Sequence, residues 1–209
     1  MALRPGPRAA PAAPDWPDLW LLRHGQTVWN AEGRLQGRLD SPLTATGVAQ
    51  AQRQGRLVAT ILAGGATAAP ALWSSPQGRA VRTARIVFDG RPFGCDPRLA
   101  EIDLGAFTGA RTPDLRAAHP QLFPAPRPGE EPLGWYDLCP GGEGFGGLER
   151  RVRAFLTGLT GPAVIVTHGI TLRMIVLVAS GLPPEAIGRI PVLQGAVHHI
   201  GAGRHRVIC

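Results

Sequence analysis

Apolar residues in this chain fall into short unbroken runs, separated by longer stretches where they recur every three or four positions. Leu19-Trp20-Leu21-Leu22, Ala71-Leu72-Trp73 and Ala163-Val164-Ile165-Val166 are runs with no polar residue inside them. Runs of this length fit strands buried on both faces, the condition of a mostly parallel sheet. Between them, Thr44 to Leu62 sets Val48, Ala51, Leu57, Val58, Ile61 and Leu62 at helical spacing, with Thr44 as N-cap and Gly64 as stop. Ser74-Ser75-Pro76 reads as a second N-cap with proline in the first helical position, opening a helix through Phe88. Leu148 to Leu159 and Thr171 to Ser180 predict two further helices, and Val192 and Val197 to Ile200 predict final strands. Strands alternating with helices predict a three-layer α/β/α sandwich with a mostly parallel central sheet.

The rest of the chain divides around that pattern. Residues 1–17, rich in Ala, Pro and Arg and without the apolar core of a secretory signal, read as a disordered lead-in to a single domain, 18–209. Thr112 to Gly147 is rich in Pro and Gly and shows little periodicity. A loop that long inside a compact domain acts as a lid or a binding wall, and 110–147 is assigned that part, with Trp135, Tyr136 and Phe145 as a partly apolar wall.

Open α/β sheets bind ligands past the carboxyl ends of their strands. Arg23-His24-Gly25 follows the first apolar run, Arg79 lies in the first turn after the second, and His168-Gly169 follows the third. A neutral imidazole can attack phosphorus, and the planar fork of arginine suits phosphate oxygens. Taken alone, Arg23-His24-Gly25 reads as readily as a loop with local hydrogen bonds, so the downstream segments decide.

Four segments together resemble the histidine phosphatase superfamily, the clan of cofactor-dependent phosphoglycerate mutases and related phosphatases. They are Leu21-Leu22-Arg23-His24-Gly25-Gln26-Thr27-Val28-Trp29-Asn30 with Gly33 to Thr44 behind it; Ser74 to Ala84; Leu99 to Gly109; and Val166-Thr167-His168-Gly169. The resemblance implies the phosphoglycerate mutase-like fold, with His24 as the nucleophile that becomes phosphohistidine and Arg23, Arg79 and His168 holding the phosphoryl oxygens. It places Asn30 and Gln36 as further phosphate contacts. Glu101 becomes the general acid that protonates the leaving oxygen and then activates water, a role that requires it to hold a proton in the closed site; Asp103, two positions on, is its rival. The backbone N–H groups of Gly169 and Ile170, opening a helix, are placed to hold a phosphate oxygen. Two departures from the family pattern stand out: Gly144 where Pro-Gly-Gly-Glu is commonly followed by Ser, and Gln194-Gly195 where relatives often present an asparagine.

Composition narrows the alternatives. All 22 basic residues are arginine, the net charge is +7 and the sequence pI is near 11.0. Without lysine there is no Walker phosphate loop, and neither Cys95 nor Cys139 has the arginine six positions on that a cysteine phosphatase needs. The arginines are dispersed, so the excess charge points to anionic substrates rather than nucleic acid. Three scattered cysteines fit reduced thiols in the cytoplasm of a bacterial cell, and the longest apolar region falls short of a bilayer span. Gly142-Glu143-Gly144-Phe145-Gly146-Gly147 fits the dinucleotide pattern, but no strand precedes it. His198 and His199, adjacent in a strand, face opposite sides and read as structural. No metal-ligand spacing appears, so neither metal nor other cofactor is implied. The expected partner is a small phosphorylated substrate, not nucleic acid or membrane, with a homodimer left open.

The expected activity is hydrolysis of a phosphomonoester on a small metabolite, through a phosphohistidine intermediate. The alternatives are mutase-type phosphoryl transfer and a non-catalytic phospho-ligand module. Mutases resemble one another in an Arg-His-Tyr-Gly continuation after the acid, whereas here Glu101 is followed by Ile102-Asp103-Leu104-Gly105-Ala106-Phe107, the phosphatase-like form.

Overall fold

The computed structural model describes residues 16–64, 68–125 and 128–209. Most of the expected lead-in therefore lies outside the described residues. The strands are β1 (Leu19–Arg23), β2 (Ala71–Ser74), β3 (Gly94–Cys95), β4 (Ala163–Thr167), β5 (Val197–Gly201) and β6 (Arg204–Ile208). They form one sheet in the order β3-β2-β4-β1-β5-β6. β4 pairs in parallel with both β1 and β2, β2 pairs in parallel with β3, and β5 and β6 add two antiparallel strands at one edge. The sheet is thus mostly parallel, as the apolar runs predict.

The helices are α1 (Val28–Ala31), α2 (Ala45–Ala63), α3 (Gly78–Phe88), α4 (Thr112–Ala118), α5 (Gly144–Thr157) and α6 (Gly169–Ala179). Side chains alternate across each strand, and the two central strands feed both faces. Leu19, Leu21, Ala163 and Ile165 pack with Leu148 and Phe155 of α5 and Leu172 and Val176 of α6. Trp20, Leu22, Val164 and Val166 pack with Val58 of α2 and Ala80, Ala84 and Phe88 of α3. Two covered faces explain why these strands carry no polar alternation.

Local expectations and observed boundaries differ where a cap comes from afar. Helix α2 has its Thr44 cap, whose hydroxyl accepts from Gly47 N–H at 3.0 Å, and ends at Gly64. Helix α3 does not begin at Pro76: its N-cap is Gln77, which makes no side-chain capping bond. Ser75 is still part of the strand end, its N–H donating to Val166 O at 2.9 Å, and Asp40 Oδ1 instead accepts from Arg79 N–H at 3.1 Å. Helix α6 starts at Gly169, two residues before expectation, because Glu101 receives the N–H groups of Ile170 and Thr171 at 3.2 and 3.1 Å. Helix α5 starts at Gly144 rather than Leu148, with Asp137 Oδ1 accepting from Phe145 N–H.

Within 110–147 the structure shows helix α4 and 3-10 turns at Pro120–Leu122 and Gly134–Leu138, so the segment is not structureless. It is pinned by Glu131, which donates its N–H to Gly188 O at 3.0 Å and pairs with Arg173. Val192 is not in a strand; the last strand is β6, joined to β5 through Ala202 and Gly203, both at positive φ. His198 is buried against His205, while His199 stacks on Trp20 and meets Asp18 at 3.0 Å.

The loop after β1 lies directly on the first turn of α2. A Cβ on Gly25 would sit 2.1 Å from Gly47 O, and one on Gly47 would sit 2.0 Å from Gln26 O. This contact holds the His24 segment at the sheet rim. A glycine-to-alanine change inside a helix ordinarily stabilises by roughly 0.5–1 kcal/mol. Gly47→Ala should instead lower stability by about 1–3 kcal/mol through overpacking. Urea denaturation is the check, and a gain in stability would contradict the packing described.

Candidate active site

The parallel register delivers three side chains to one rim. Arg23 pairs with Thr167 and Ser74 with Val166, and the ladder runs one step further through His24 N–H to Thr167 O at 2.9 Å. His24 and His168 therefore stand level just past the ends of β1 and β4, and Ser75, level with Thr167, follows the end of β2. Arg79 joins them from the first turn of α3. Arg23, His24, Asn30, Gln36, Arg79 and Glu101 all line one cavity of about 120 Å³. A larger hollow of about 310 Å³ between α2 and α3 is walled by Val58, Leu62 and Phe88 and contains no histidine.

His24 is almost fully buried, and its Nδ1 lies 2.8 Å from the carbonyl of Gly25. A carbonyl can only accept, so Nδ1 carries the proton and the neutral ring keeps its lone pair on Nε2. Burial, and then the charges of Arg79 and Arg23, hold the ring's pKa well below the ordinary imidazole value. Gln194 supports the same segment from behind, its amide donating to His24 O at 3.1 Å. The departure to glutamine therefore supplies a brace for the backbone of His24.

Arg79 donates its Nε–H to His24 Nε2 at 3.2 Å. Three more of its N–H groups hold the loop that follows Gln36: Nη2 to Gly37 O at 3.0 Å, and Nη1 to Leu39 O at 2.6 Å and Asp40 Oδ1 at 3.2 Å. The guanidinium is thus built into the backbone, and of its five donors one Nη2 N–H has no partner among the described residues.

His168 is wholly buried, its ring centroid 5.2 Å from that of His24. Its Nε2 lies 2.7 Å from Ser75 Oγ. That oxygen accepts from Gln77 N–H at 3.3 Å and finds no other acceptor for its own proton among the described residues, so the hydroxyl donates to Nε2 and the ring's proton sits on Nδ1. His168 Nδ1 and Arg23 Nε are both buried and meet no partner among the described residues. Unpaired buried donors are costly, and an anion is the kind of partner that would satisfy them; Arg23 lines the cavity, whereas His168 lies behind it. Burial, then Arg79, holds His168 well below the ordinary imidazole range as well.

Three backbone N–H groups donate to Glu101: those of Ile102 and Thr171 to Oε1 at 2.9 and 3.1 Å, and that of Ile170 to Oε2 at 3.2 Å. The Thr171 hydroxyl, 3.1 Å from Oε1, gives its one proton to Ala100 O at 2.8 Å. The N–H of Ile170 is likewise already engaged, so Ile170 does not offer a free phosphate donor. Gly169 has its Cα beside Arg23 and Glu101, where an added Cβ would lie 3.5 Å from Arg23 Nε. Asp103 is spent on Gly105 N–H at 2.9 Å, and does not line the cavity.

Asn30 has a structural duty too: its Oδ1 accepts from Thr27 N–H at 3.2 Å, closing a capping box on α1. Gln36 is buried, with Oε1 unpaired among the described residues. Glu143 belongs to the scaffold, bridging Arg151 at 2.8 Å and Asp103 N–H at 2.9 Å, and Gly144 beside it has φ +60° with Asp137 Oδ1 2.9 Å from the position of a Cβ. A serine there would be strained, which accounts for the glycine. Ser75, Arg34 and Tyr136 complete the surroundings. Ser75 reads locally as a helix cap, and only its position at the end of a strand signals its contact with His168.

A three-layer sandwich with two histidines and two arginines converging on the rim of its parallel strands has the architecture of the phosphoglycerate mutase-like histidine phosphatases. Residues 19–208 match the family described as the histidine phosphatase superfamily (branch 1), and the chain belongs to it. A protein of Yersinia enterocolitica named probable phosphoglycerate mutase GpmB is 35% identical over 184 residues, covering 82% of this chain and 79% of that one. The structure of the alpha-ribazole phosphatase from Shigella flexneri superposes with a TM-score of 0.73 at 26% identity, covering 91% of this chain and 95% of its own. The phosphoglycerate mutase of Thermus thermophilus gives 0.63 at 36% identity, covering 92% and 96%.

Two outcomes follow from this geometry. Arg79→Ala should cost about 2.7–4 kcal/mol in kcat/KM for a phosphomonoester, the range for removing an oxyanion donor; retention of most of the wild-type value would refute the role. Both rim histidines resist protonation when folded, and burial lowers His198 to about 4. The unfolded chain takes up these protons near pH 6.5, so each ring removes up to ~1.4 kcal/mol of stability per pH unit as pH falls below that value toward its folded pKa. The urea midpoint should therefore drop between pH 7 and pH 5, and a flat profile would contradict the neutral, buried assignment.

Proposed function

We propose that this protein is a phosphomonoester hydrolase that acts through a phosphohistidine at His24. The observation that carries this reading is the ring of His24, fixed by Gly25 O at 2.8 Å so that its lone pair is on Nε2, in a cavity it shares with Arg23, Arg79 and Glu101. Nε2 attacks phosphorus in line as the ester P–O bond breaks, and the arginines and His168 Nδ1–H take up the charge on the phosphoryl oxygens. The leaving oxygen receives a proton from Glu101. Oε2, with a single donor against two on Oε1, has the free lone pair for that proton. A water then enters, gives its proton to Glu101 and attacks the phosphohistidine, breaking the P–N bond and releasing phosphate.

The names of the relatives favour a second reading, mutase-type transfer. A mutase must hold a ligand with a further anionic end and keep the phosphohistidine from water. The wall after Glu101 consists of Ile102 and Leu104, which offer nothing to an anion, and Arg34 at the rim is where such an end would bind. The apolar wall supports hydrolysis. A phospho-ligand module without turnover is the remaining alternative, and the neutral His24 ring, with its Nε2 lone pair in a cavity that also holds Glu101, argues against it.

Incubation with p-nitrophenyl phosphate, and separately with 3-phosphoglycerate plus bisphosphoglycerate, distinguishes the three. Wild type should release phosphate and His24→Ala should not. Isomer formation exceeding phosphate release would overturn hydrolysis in favour of the mutase, and no turnover of either substrate would leave the binding module.

A further inference from the structure

Tyr136, the only tyrosine in the chain, lies on the cavity wall and has no place in the chemistry described so far. It sits in the 3-10 turn Gly134–Leu138, its ring stacked on Trp135 at 3.9 Å and tilted against Phe145 at 5.9 Å. Trp135 is buried and packs in turn on Phe123 at 5.3 Å. This aromatic ladder fixes the phenol rather than leaving it on a mobile arm.

The charges that act on the phenol are, first among them, that of Glu101, followed by Glu131, Arg23 and Arg173, and burial raises its pKa above the ordinary tyrosine value. The hydroxyl is therefore a neutral O–H near neutral pH. It makes no hydrogen bond to another described residue, and Glu101 draws its three N–H donors elsewhere. Around it the wall is aliphatic: Leu35, Ile102 and Leu104. Glu101 marks the leaving-group end of the cavity, since it is the group that protonates the ester oxygen.

We propose that Tyr136 is a specificity-determining residue, whose hydroxyl binds an oxygen on the leaving group and selects phosphomonoesters that carry a hydroxyl on the carbon next to the ester carbon. The inference rests on the phosphatase reading for the identity of the leaving-group end. Its physical basis is the cost of covering a polar group without a partner. A leaving group that supplies an oxygen satisfies the phenol, whereas a hydrocarbon of the same length seals it off from water. Sites built around a hydrogen-bonding group discriminate against analogues that lack it far more strongly than apolar pockets discriminate by size. Leu35, Ile102 and Leu104 accept the carbon skeleton of either ligand, and the Tyr136→Phe change separates the phenol's share of the discrimination from that of Gln36, which lines the same cavity.

The test compares α-glycerol phosphate with n-propyl phosphate, which share a carbon chain and differ in hydroxylation, in wild type and Tyr136→Phe. Turnover is followed by phosphate release, and binding by quenching of tryptophan fluorescence. Wild type should prefer the hydroxylated ester by about tenfold or more in kcat/KM. Tyr136→Phe should lose that preference by weakening α-glycerol phosphate alone, with n-propyl phosphate within about threefold of wild type. Equal loss on both esters, or no change on either, would overturn the proposal while leaving hydrolysis intact. If neither ester is hydrolysed, the phosphatase reading fails, and binding decides: a wild-type preference abolished in Tyr136→Phe supports the contact, and equal dissociation constants overturn it.

Discussion

The parallel pairing of β4 with β1 on one side and β2 on the other is the constraint on which the site depends. Parallel strands in register end at the same edge of the sheet, so whatever follows each of them is brought to one rim however distant it is in sequence. His24, Ser75 and His168 are brought together in this way, from positions up to 144 residues apart. Alternation along β1 and β4 then locks the register, because a one-residue slip would exchange the faces packed against α5 and α6 with those packed against α2 and α3. The same contacts that bury the core therefore aim the histidines.

Charge supplies the second level of organisation. Arg79 is among the largest fully buried side chains, and burial of a guanidinium is tolerated only with its donors met. Carbonyls of Gly37 and Leu39 and the carboxylate of Asp40 meet three of them, so the loop carrying Gln36 is shaped by the residue it surrounds. Neutral histidines beside buried arginines are the consistent arrangement for a site awaiting an anion: a second positive charge would be repelled, and an incoming phosphoryl group is attracted. Glu101 balances this cluster while closing the N-terminus of α6, where the helix dipole favours a carboxylate. One side chain thus joins the fold of the third strand-helix unit to the wall of the cavity.

What could be read from the sequence follows from the range of the forces involved. The apolar runs and the Thr44 cap are local signals, and β1, β2, β4 and α2 were legible from them. The boundaries of α3 and α6 were not, because Asp40 and Glu101 cap those helices from other parts of the chain. β6, at the sheet edge, carries Arg204, His205 and Arg206, and nothing in that polar run reads as a buried strand. Within the site, residue identities came with the family resemblance, whereas their duties did not. That Ile170 is already engaged by Glu101, that Ser75 serves His168 rather than a helix, and that Gln194 braces His24 are consequences of tertiary contacts with no local signature.

The central claim is that His24 Nε2 forms a covalent bond to phosphorus. The most direct test is to mix the protein with a rapidly hydrolysed aryl phosphate, quench in alkali, which preserves phosphohistidine, and map the modified peptide by mass spectrometry. One phosphoryl group on the peptide containing His24, absent in His24→Ala, is the predicted result. Phosphate release by wild type without any trapped adduct on that peptide, or an adduct on another residue, would contradict the account.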